Sequence, residues 1–308
     1  MKKTSAVPHI INSIAEYHSI VGLPGPEHPL ISVIGLTCNP DLPQLPDDKL
    51  IYNFYSIFLK KNIDAIGYGR KYYDFSNGVM GFSMPRQVFT LDRNADYSKI
   101  TGWMLLIHPD FIRKYPLASR IDTYGFFSYN LNEALHLSEK EEAMVDRIML
   151  DIRNEYQQSI DGFSQDVIVS HIEVLLNYSN RFYNRQFITR SNSEEEPLVR
   201  FEQLTRKIFQ QDHVQQIPSV NEIAEQLNVS AHYISDMLRS LTGMSAQQHI
   251  HNLLIEKAKE ILLTTNLSIN ETAYRLGFEY PQYFNRLFKN KTGTTPAAFR
   301  KATVNNLN

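Results

Sequence analysis

SVNEIAEQL (Ser219–Leu227) and SINETAYRL (Ser268–Leu276) say the same thing twice. At an offset of 49 they share serine, asparagine, glutamate, alanine and leucine. One residue further, at an offset of 50, Tyr233 falls on Tyr283, Met237 on Leu287, Thr242 on Thr292 and Gly243 on Gly293. A repeat of this length marks one supersecondary unit built twice. In the first copy Ser219 is a good N-cap, and Glu222 three residues on completes a capping box. Ile223, Ala224 and Leu227 then form an apolar stripe at helical spacing. Asn228 and Val229 break the run, Ser230 can cap a second helix, and Gly243 stands where a left-handed C-cap belongs. The second copy repeats this with Ser268 and Glu271, Gly277 at the turn and Gly293 after the last helix. Two short helices around a tight turn are the helix-turn-helix layout, whose second helix enters the DNA major groove. Between the copies, Ser245 and Gln248 cap a long helix with the stripe Ile250, Leu253, Leu254, Ala258, Ile261 and Leu262. That helix would hold the two units at a fixed distance and orientation.

Around this stretch the chain has 308 residues, enough for two domains with separate cores. A hydrophobic content of 43% and a charged content of 21% are globular values and exclude disordered or collagen-like classes. Cys38 is the only cysteine, so no intramolecular disulfide is expected and a reducing compartment fits. Pro8, His9 and Asn12 interrupt anything like a signal h-region, and no long apolar run predicts a membrane span. A cytoplasmic location follows as the expectation. The net charge of −2 is unevenly spread: residues 199–308 hold 12 Lys and Arg against 9 Asp and Glu. After Glu279 the charged residues are Arg286, Lys289, Lys291, Arg300 and Lys301, a basic segment suited to phosphate.

Upstream of the repeat, His9 to Ile20 reads as a short helix, followed by a loop broken by Gly22, Pro24, Gly25, Pro26 and Pro29. Ile31–Cys38, Leu50–Lys61, Val79–Met84, Gln87–Leu91 and Gly102–His108 read as strands, separated by turn-forming clusters such as Ser76-Asn77-Gly78. Short strands at this spacing predict a small antiparallel barrel or sandwich. From Ser138 the period becomes helical, with Met144, Val145, Ile148, Met149 and Ile152 on one stripe. A second helix after Asp161-Gly162 carries Val167, Ile168, Ile172, Leu175, Leu176 and Phe182. Residues 189–197, TRSNSEEEP, are polar and acidic and read as a linker.

Two helix-turn-helix units on one long helix resemble the DNA-binding domain of the AraC/XylS family of bacterial transcription regulators. AYRLGFEYPQYFNRLFKNKTGTTPAAFR (Ala273–Arg300) is similar to that family's signature in Gly277 and Phe278, the pair Tyr283 and Phe284, the run Arg286–Lys289 and the TG…TP…FR ending. Tyr280 departs from the pattern, because a capping Asp or Ser usually precedes this proline and tyrosine cannot cap by a short side-chain bond. Pro281 at the first helical position still pre-sets the backbone. The strand-rich front half is similar to the family's cupin-like sensory domain, and the helical pair to its dimerisation helices. The resemblance implies an α+β chain with a cupin-like antiparallel β-barrel and helical pair over residues 1–186. A linker over 187–198 and an all-α DNA-binding domain over 199–303 complete it.

By the same resemblance the base-contacting positions fall on His232, Ser235 and Asp236 in the first unit and on Gln282, Asn285 and Arg286 in the second. Their spacing puts each set on one helix face. Arg can bond guanine bidentately and Gln or Asn adenine, whereas Asp236 can only accept and would repel phosphate. Arg239, Lys289 and Lys291 are expected on phosphates. Tyr233, Ile234, Met237 and Leu238 are expected inward, as are Tyr283, Phe284, Leu287 and Phe288.

No histidine lies between Pro29 and Ile107, so the barrel lacks the clustered ligands of a metal cupin, and no GxSxG, P-loop, HExxH or CxxC pattern occurs. Neither a cofactor nor an enzymatic role is expected. The barrel interior could hold a small-molecule effector, with Tyr52, Phe54, Tyr68, Arg70, Phe82 and Trp103 as candidate lining residues by strand position. The expected partners are double-stranded promoter DNA, RNA polymerase and a second copy of the chain. The competing class is a cupin-type enzyme or sugar-binding protein carrying a helix-turn-helix module.

Overall fold

Ser13 decides where the first helix begins. The computed structural model describes residues 8–36, 49–62, 78–90, 100–158, 163–190, 197–211 and 213–305. In it the Ser13 hydroxyl accepts from the Glu16 amide at 3.1 Å, so helix α1 is Ile14–Ile20 and not a helix from His9. His9–Ile11 is instead a strand, β1. The sequence pattern missed it because three residues are too few to show a period.

Strand β2 is Ile31–Leu36, and the expected strand over Leu50–Lys61 is two: β3 (Lys49–Tyr52) and β4 (Tyr55–Lys61). Asn53 makes the corner between them, its amide donating to Ile11 O at 3.0 Å and its side chain to Asn12 Oδ1 at 2.9 Å. Strands β5 (Gly78–Ser83), β6 (Val88–Thr90), β7 (Thr101–Ile107) and β8 (Leu135–Leu137) follow. Between β7 and β8 lie α2 (Pro109–Ile112), α3 (Leu117–Arg120) and three 310 turns. Beyond β8 come α4 (Glu139–Tyr156) and α5 (Ser164–Arg190). The Ser138–Glu141 capping box that starts α4 is formed as its sequence predicts.

These strands do not close into the expected barrel. They make a three-stranded sheet ordered β1-β3-β6 and a five-stranded antiparallel sheet ordered β2-β7-β4-β5-β8, with β1 parallel to β3. The outer edge of β8 is covered by side chains of α5. Gln186 accepts from His136 N at 2.8 Å and donates to Ala134 O at 3.1 Å, while Arg185 donates to His136 O at 2.6 Å and pairs with Glu141. A covered edge cannot recruit another strand. Gln186 is fully buried, so its loss strands two backbone groups away from water. We expect Gln186→Ala to cost about 1–3 kcal/mol in urea unfolding of the full chain. A change within about 0.5 kcal/mol, the scatter of ordinary surface substitutions, would contradict this edge-sealing role.

Register assigns the faces of the five-stranded sheet. Ser32, Leu106, Ser56 and Ser83 are consecutive cross-strand partners and share one face, as do Phe58 and Lys60 two and four residues beyond Ser56. On this side Ile34 and Leu106 pack with Ile11, Ile14, Tyr17, Leu50, Tyr52 and Phe54. The opposite face carries Ile57, Leu59, Phe82, Trp103 and Lys61. Lys61 binds Glu142 at 2.8 Å and Asp146 at 2.6 Å, anchoring α4 to β4. Phe82 enters an aromatic cluster with Phe126, Phe127 and Tyr183.

The chain divides into two compact units, Met1–Thr189 and Arg190–Asn308. Residues 187–190, expected in the linker, are the last turn of α5, held by the buried ring of Phe187. The C-terminal unit is helical: α6 (Pro197–Gln210), α7 (Val220–Leu227), α8 (Ala231–Thr242), α9 (Ala246–Thr264), α10 (Ile269–Arg275), α11 (Pro281–Thr292) and α12 (Pro296–Asn305). Its capping boxes at Ser219–Glu222, Ser245–Gln248 and Ser268–Glu271 all form. Ile250, Leu254, Ala258, Ile261 and Leu262 of α9 are buried, and both helix pairs pack on it.

Candidate nucleic-acid interface

The slip from an offset of 49 to 50 lies inside the turns. Asn228 and Gly277 occupy the same place after the first helix of each pair, and both are left-handed, with φ of 56° and 85°. From there Ser230 caps α8, its hydroxyl accepting from Tyr233 N at 3.2 Å. The second turn uses one residue more and ends on Tyr280, whose side chain makes no capping bond, as its chemistry requires. Pro281 starts α11 nonetheless.

Gly277 also joins the two pairs. A Cβ there would lie 3.0 Å from Ile217 N and Val214 O and 3.1 Å from Gln216 C. These residues belong to the segment that enters α7, and Val214 N donates to Arg275 O at 2.9 Å. The lead-in to the first pair is therefore seated against the turn of the second. Hydrogen bonding to the caps holds the Glu222 and Glu271 carboxyls below their ordinary pKa: for Glu222 chiefly to the Ser219 backbone, for Glu271 chiefly to the Ser268 side chain.

The second helix of each pair presents its expected polar face outward. In α8, His232 and Arg239 are exposed and Ser235 and Asp236 half-buried, while Tyr233, Ile234, Met237 and Leu238 are buried. In α11, Gln282, Arg286 and Lys289 are exposed and Asn285 is half-buried over buried Phe284 and Phe288. Those rings meet Phe278 and Phe299 in a ladder of tilted and edge-on contacts with centroids 5.4–5.7 Å apart. Tyr283, expected inward, faces out at 50% exposure, and Leu287 is half-buried. The matching Tyr233 is buried at 2%. Helix α6 packs on α7, α8 and α9, and α11 is covered by α9, α10 and α12 instead. Position 283 thus keeps the residue type of the repeat without its burial.

The two outward faces differ in their charged groups. Asp236 pairs with Arg239 one turn on, at 3.6 Å. At the matching place in α11, Arg286 lies over the Tyr283 ring, 5.6 Å from its centroid. Lys291, expected on phosphate, donates to Asn252 Oδ1 of α9 at 2.9 Å. Arg300 donates to Leu262 O at 2.9 Å and Leu267 O at 2.6 Å, satisfying carbonyls at and beyond the end of α9. So two of the cations in the basic C-terminal segment are tied into the helical scaffold.

The effector-lining candidates separate. Tyr52 and Phe54 stack at 5.2 Å beside Tyr17, whose hydroxyl burial pushes up to about 12. Phe82 and Trp103 lie on the other face of the five-stranded sheet, Trp103 Nε1 reaching Asp146 Oδ1 at 3.4 Å. Tyr68 and Arg70 lie outside the described residues. Sequence reasoning missed Ser32, Ser56 and Ser83, buried on the Tyr52 side; alternation within their strands would have grouped them. Among the described residues no group of three or more His, Cys, Asp or Glu could hold a metal ion, and no helix is long and apolar enough to cross a membrane.

Two helix pairs with outward polar second helices define a helix-turn-helix module. The helix-turn-helix domain family matches residues 223–302. An uncharacterized HTH-type transcriptional regulator of Bacillus subtilis, YfiF, is 30% identical over 145 residues, 47% of this chain and 43% of that protein. The Msm operon regulatory protein of Streptococcus mutans is 34% identical over 87 residues, 28% of this chain and 31% of that protein. The C-terminal domain of AraT, a response regulator from Geobacillus stearothermophilus, is 35% identical, with a TM-score of 0.32, over 36% of this chain and 88% of that domain. The matches thus span less than half the length of these two full-length relatives. The C-terminal unit thus carries a helix-turn-helix domain over residues 223–302.

Proposed function

We propose that this chain is a sequence-specific, DNA-binding transcription regulator of the AraC/XylS type, acting at bacterial promoters in the cytoplasm. Residues 199–303 dock α8 and α11 in successive major-groove turns, about 34 Å apart along the DNA. The observation that carries this reading is the outward face of α11, where Gln282, Asn285 and Arg286 stand together over a buried aromatic ladder. His232, Ser235 and Asp236 form the weaker reader, and Arg239 and Lys289 meet phosphates. Residues 1–186, a cupin-like domain whose two sheets stay open, sense a signal and form a homodimer, and the segment between α5 and α6 links them to the DNA-binding part. Contact with RNA polymerase completes the mechanism.

A small-molecule effector of residues 1–186 would sit on the Tyr52 and Phe54 side of the five-stranded sheet. The buried Ser83 Oγ on that face has no hydrogen-bond partner among the described residues, and the half-buried Lys60 ammonium lies over the Phe58 ring, 4.8 Å from its centroid. A buried polar group such as the Ser83 hydroxyl is what orients a ligand in a mostly apolar pocket.

Selection of the full-length protein on randomised double-stranded DNA, followed by affinity measurement between about 50 and 200 mM salt, tests the reading. It predicts an enriched sequence motif and a linear fall of log affinity with log salt. No enrichment would overturn it. Asp236→Asn removes a negative charge facing the backbone and releases Arg239. We expect affinity for the selected DNA to rise about 2- to 10-fold and the salt slope to steepen by about one. Weaker binding would instead show that what Asp236 contributes to base readout exceeds what its charge costs against the phosphates.

A further inference from the structure

We infer that Tyr283 is a positioning residue for base readout, its ring fixing the Arg286 guanidinium in the orientation that reads guanine; the inference rests on the DNA-binding reading above. The observations are independent of the family pattern. Tyr283 is half-exposed on a helix whose buried side is already filled by Phe284 and Phe288, so core packing does not account for its ring. The Arg286 guanidinium lies 5.6 Å from the ring centroid, within range of a cation–π contact. Tyr280 meets Tyr283 edge-on, centroids 5.8 Å apart at 81°, and so restrains the ring from its N-terminal side. Tyr280 also makes no side-chain capping bond to this helix.

A free arginine side chain samples many rotamers, and a bidentate contact to guanine O6 and N7 uses only one orientation of its plane. Stacking one turn back along the helix restricts the guanidinium before DNA arrives. A guanidinium held by its face keeps the N–H edge of its fork for hydrogen bonding. The first helix pair has no such device. There the matching tyrosine is buried and the matching charge is Asp236, tied to Arg239.

The test uses the full chain and the motif that selection yields. Arg286→Ala identifies the guanine that this residue reads, and preference for guanine over the other bases is then measured for Tyr283 variants. Tyr283→Ala and Tyr283→Leu are expected to reduce that preference about three- to fivefold, while Tyr283→Phe, which keeps the ring face, retains it. In an Arg286→Ala background Tyr283→Ala is expected to change the preference no further. Equal losses in the Phe and Ala variants would overturn the proposal in favour of a hydroxyl contact to DNA. So would an additive loss in the double variant, or an unchanged preference in Tyr283→Ala. Failure of the wild-type chain to enrich any motif would instead remove the DNA-binding reading itself.

Discussion

Gly277→Val is expected to cost the C-terminal unit about 2–4 kcal/mol and to lower its thermal midpoint by roughly 10 °C. Two physical terms add. A φ of +85° is a left-handed backbone that a β-branched residue resists, worth about 1–3 kcal/mol. Any Cβ also presses on the backbone of residues 214–217 at 3.0–3.1 Å, where no flexible side chain can yield. Asparagine separates the terms, because Asn228 adopts the same conformation in the first turn. Gly277→Asn relieves the dihedral strain and keeps the close contact, so its cost should fall between glycine and valine. The residues pressed are those that lead into α7, so the same variant is expected to disturb the setting of α8 against α11 and to weaken DNA binding more than stability alone predicts. Thermal unfolding followed by circular dichroism, with affinity measured well below the midpoint, checks both. A valine variant as stable as the wild type would show that the lead-in segment does not rest on this turn.

Arg286→Ala is expected to lower affinity for the selected DNA by about 1–3 kcal/mol, roughly 5- to 150-fold, and to relax preference at one base pair. Arg286 is exposed and lies over the Tyr283 ring, itself half-exposed, so its truncation leaves the buried Phe284 and Phe288 untouched. A phosphate contact would behave differently. It would weaken binding evenly across sequences and reduce the salt slope by about one. Unchanged discrimination over a panel of single-base substitutions would withdraw Arg286 from the reading face.

The helical half of this chain was legible because its signals are local. Each capping box is written within four residues, and burial of the α9 stripe follows from a 3.6-residue period. The one-residue slip in the repeat corresponds to the extra residue of the second turn. What sequence did not show depends on neighbours from elsewhere in the chain. Tyr233 and Tyr283 are the same residue in the same repeat position, yet only the first is buried, since the helices covering α8 and α11 differ. Lys291 and Arg300 read as part of a basic segment until α9 supplied Asn252 and its terminal carbonyls as partners. In the front half, the corner at Asn53 interrupts an unbroken aromatic run because Ile11 and Asn12, some forty residues earlier, accept its hydrogen bonds. The sealed β8 edge has the same origin: Gln186, just before the last turn of α5, holds its backbone groups, and no strand pattern encodes that.

Hydroxyl-radical footprinting of the full-length chain on its selected DNA tests the central claim most directly. Two outward helices on one rigid α9 predict paired protections about 34 Å apart on one face of the duplex, about one helical turn. Arg286→Ala should loosen base preference under one of them and leave the other intact. A single protected patch, or protection that the salt-matched wild-type chain gives equally on unrelated DNA, would contradict a two-helix reader.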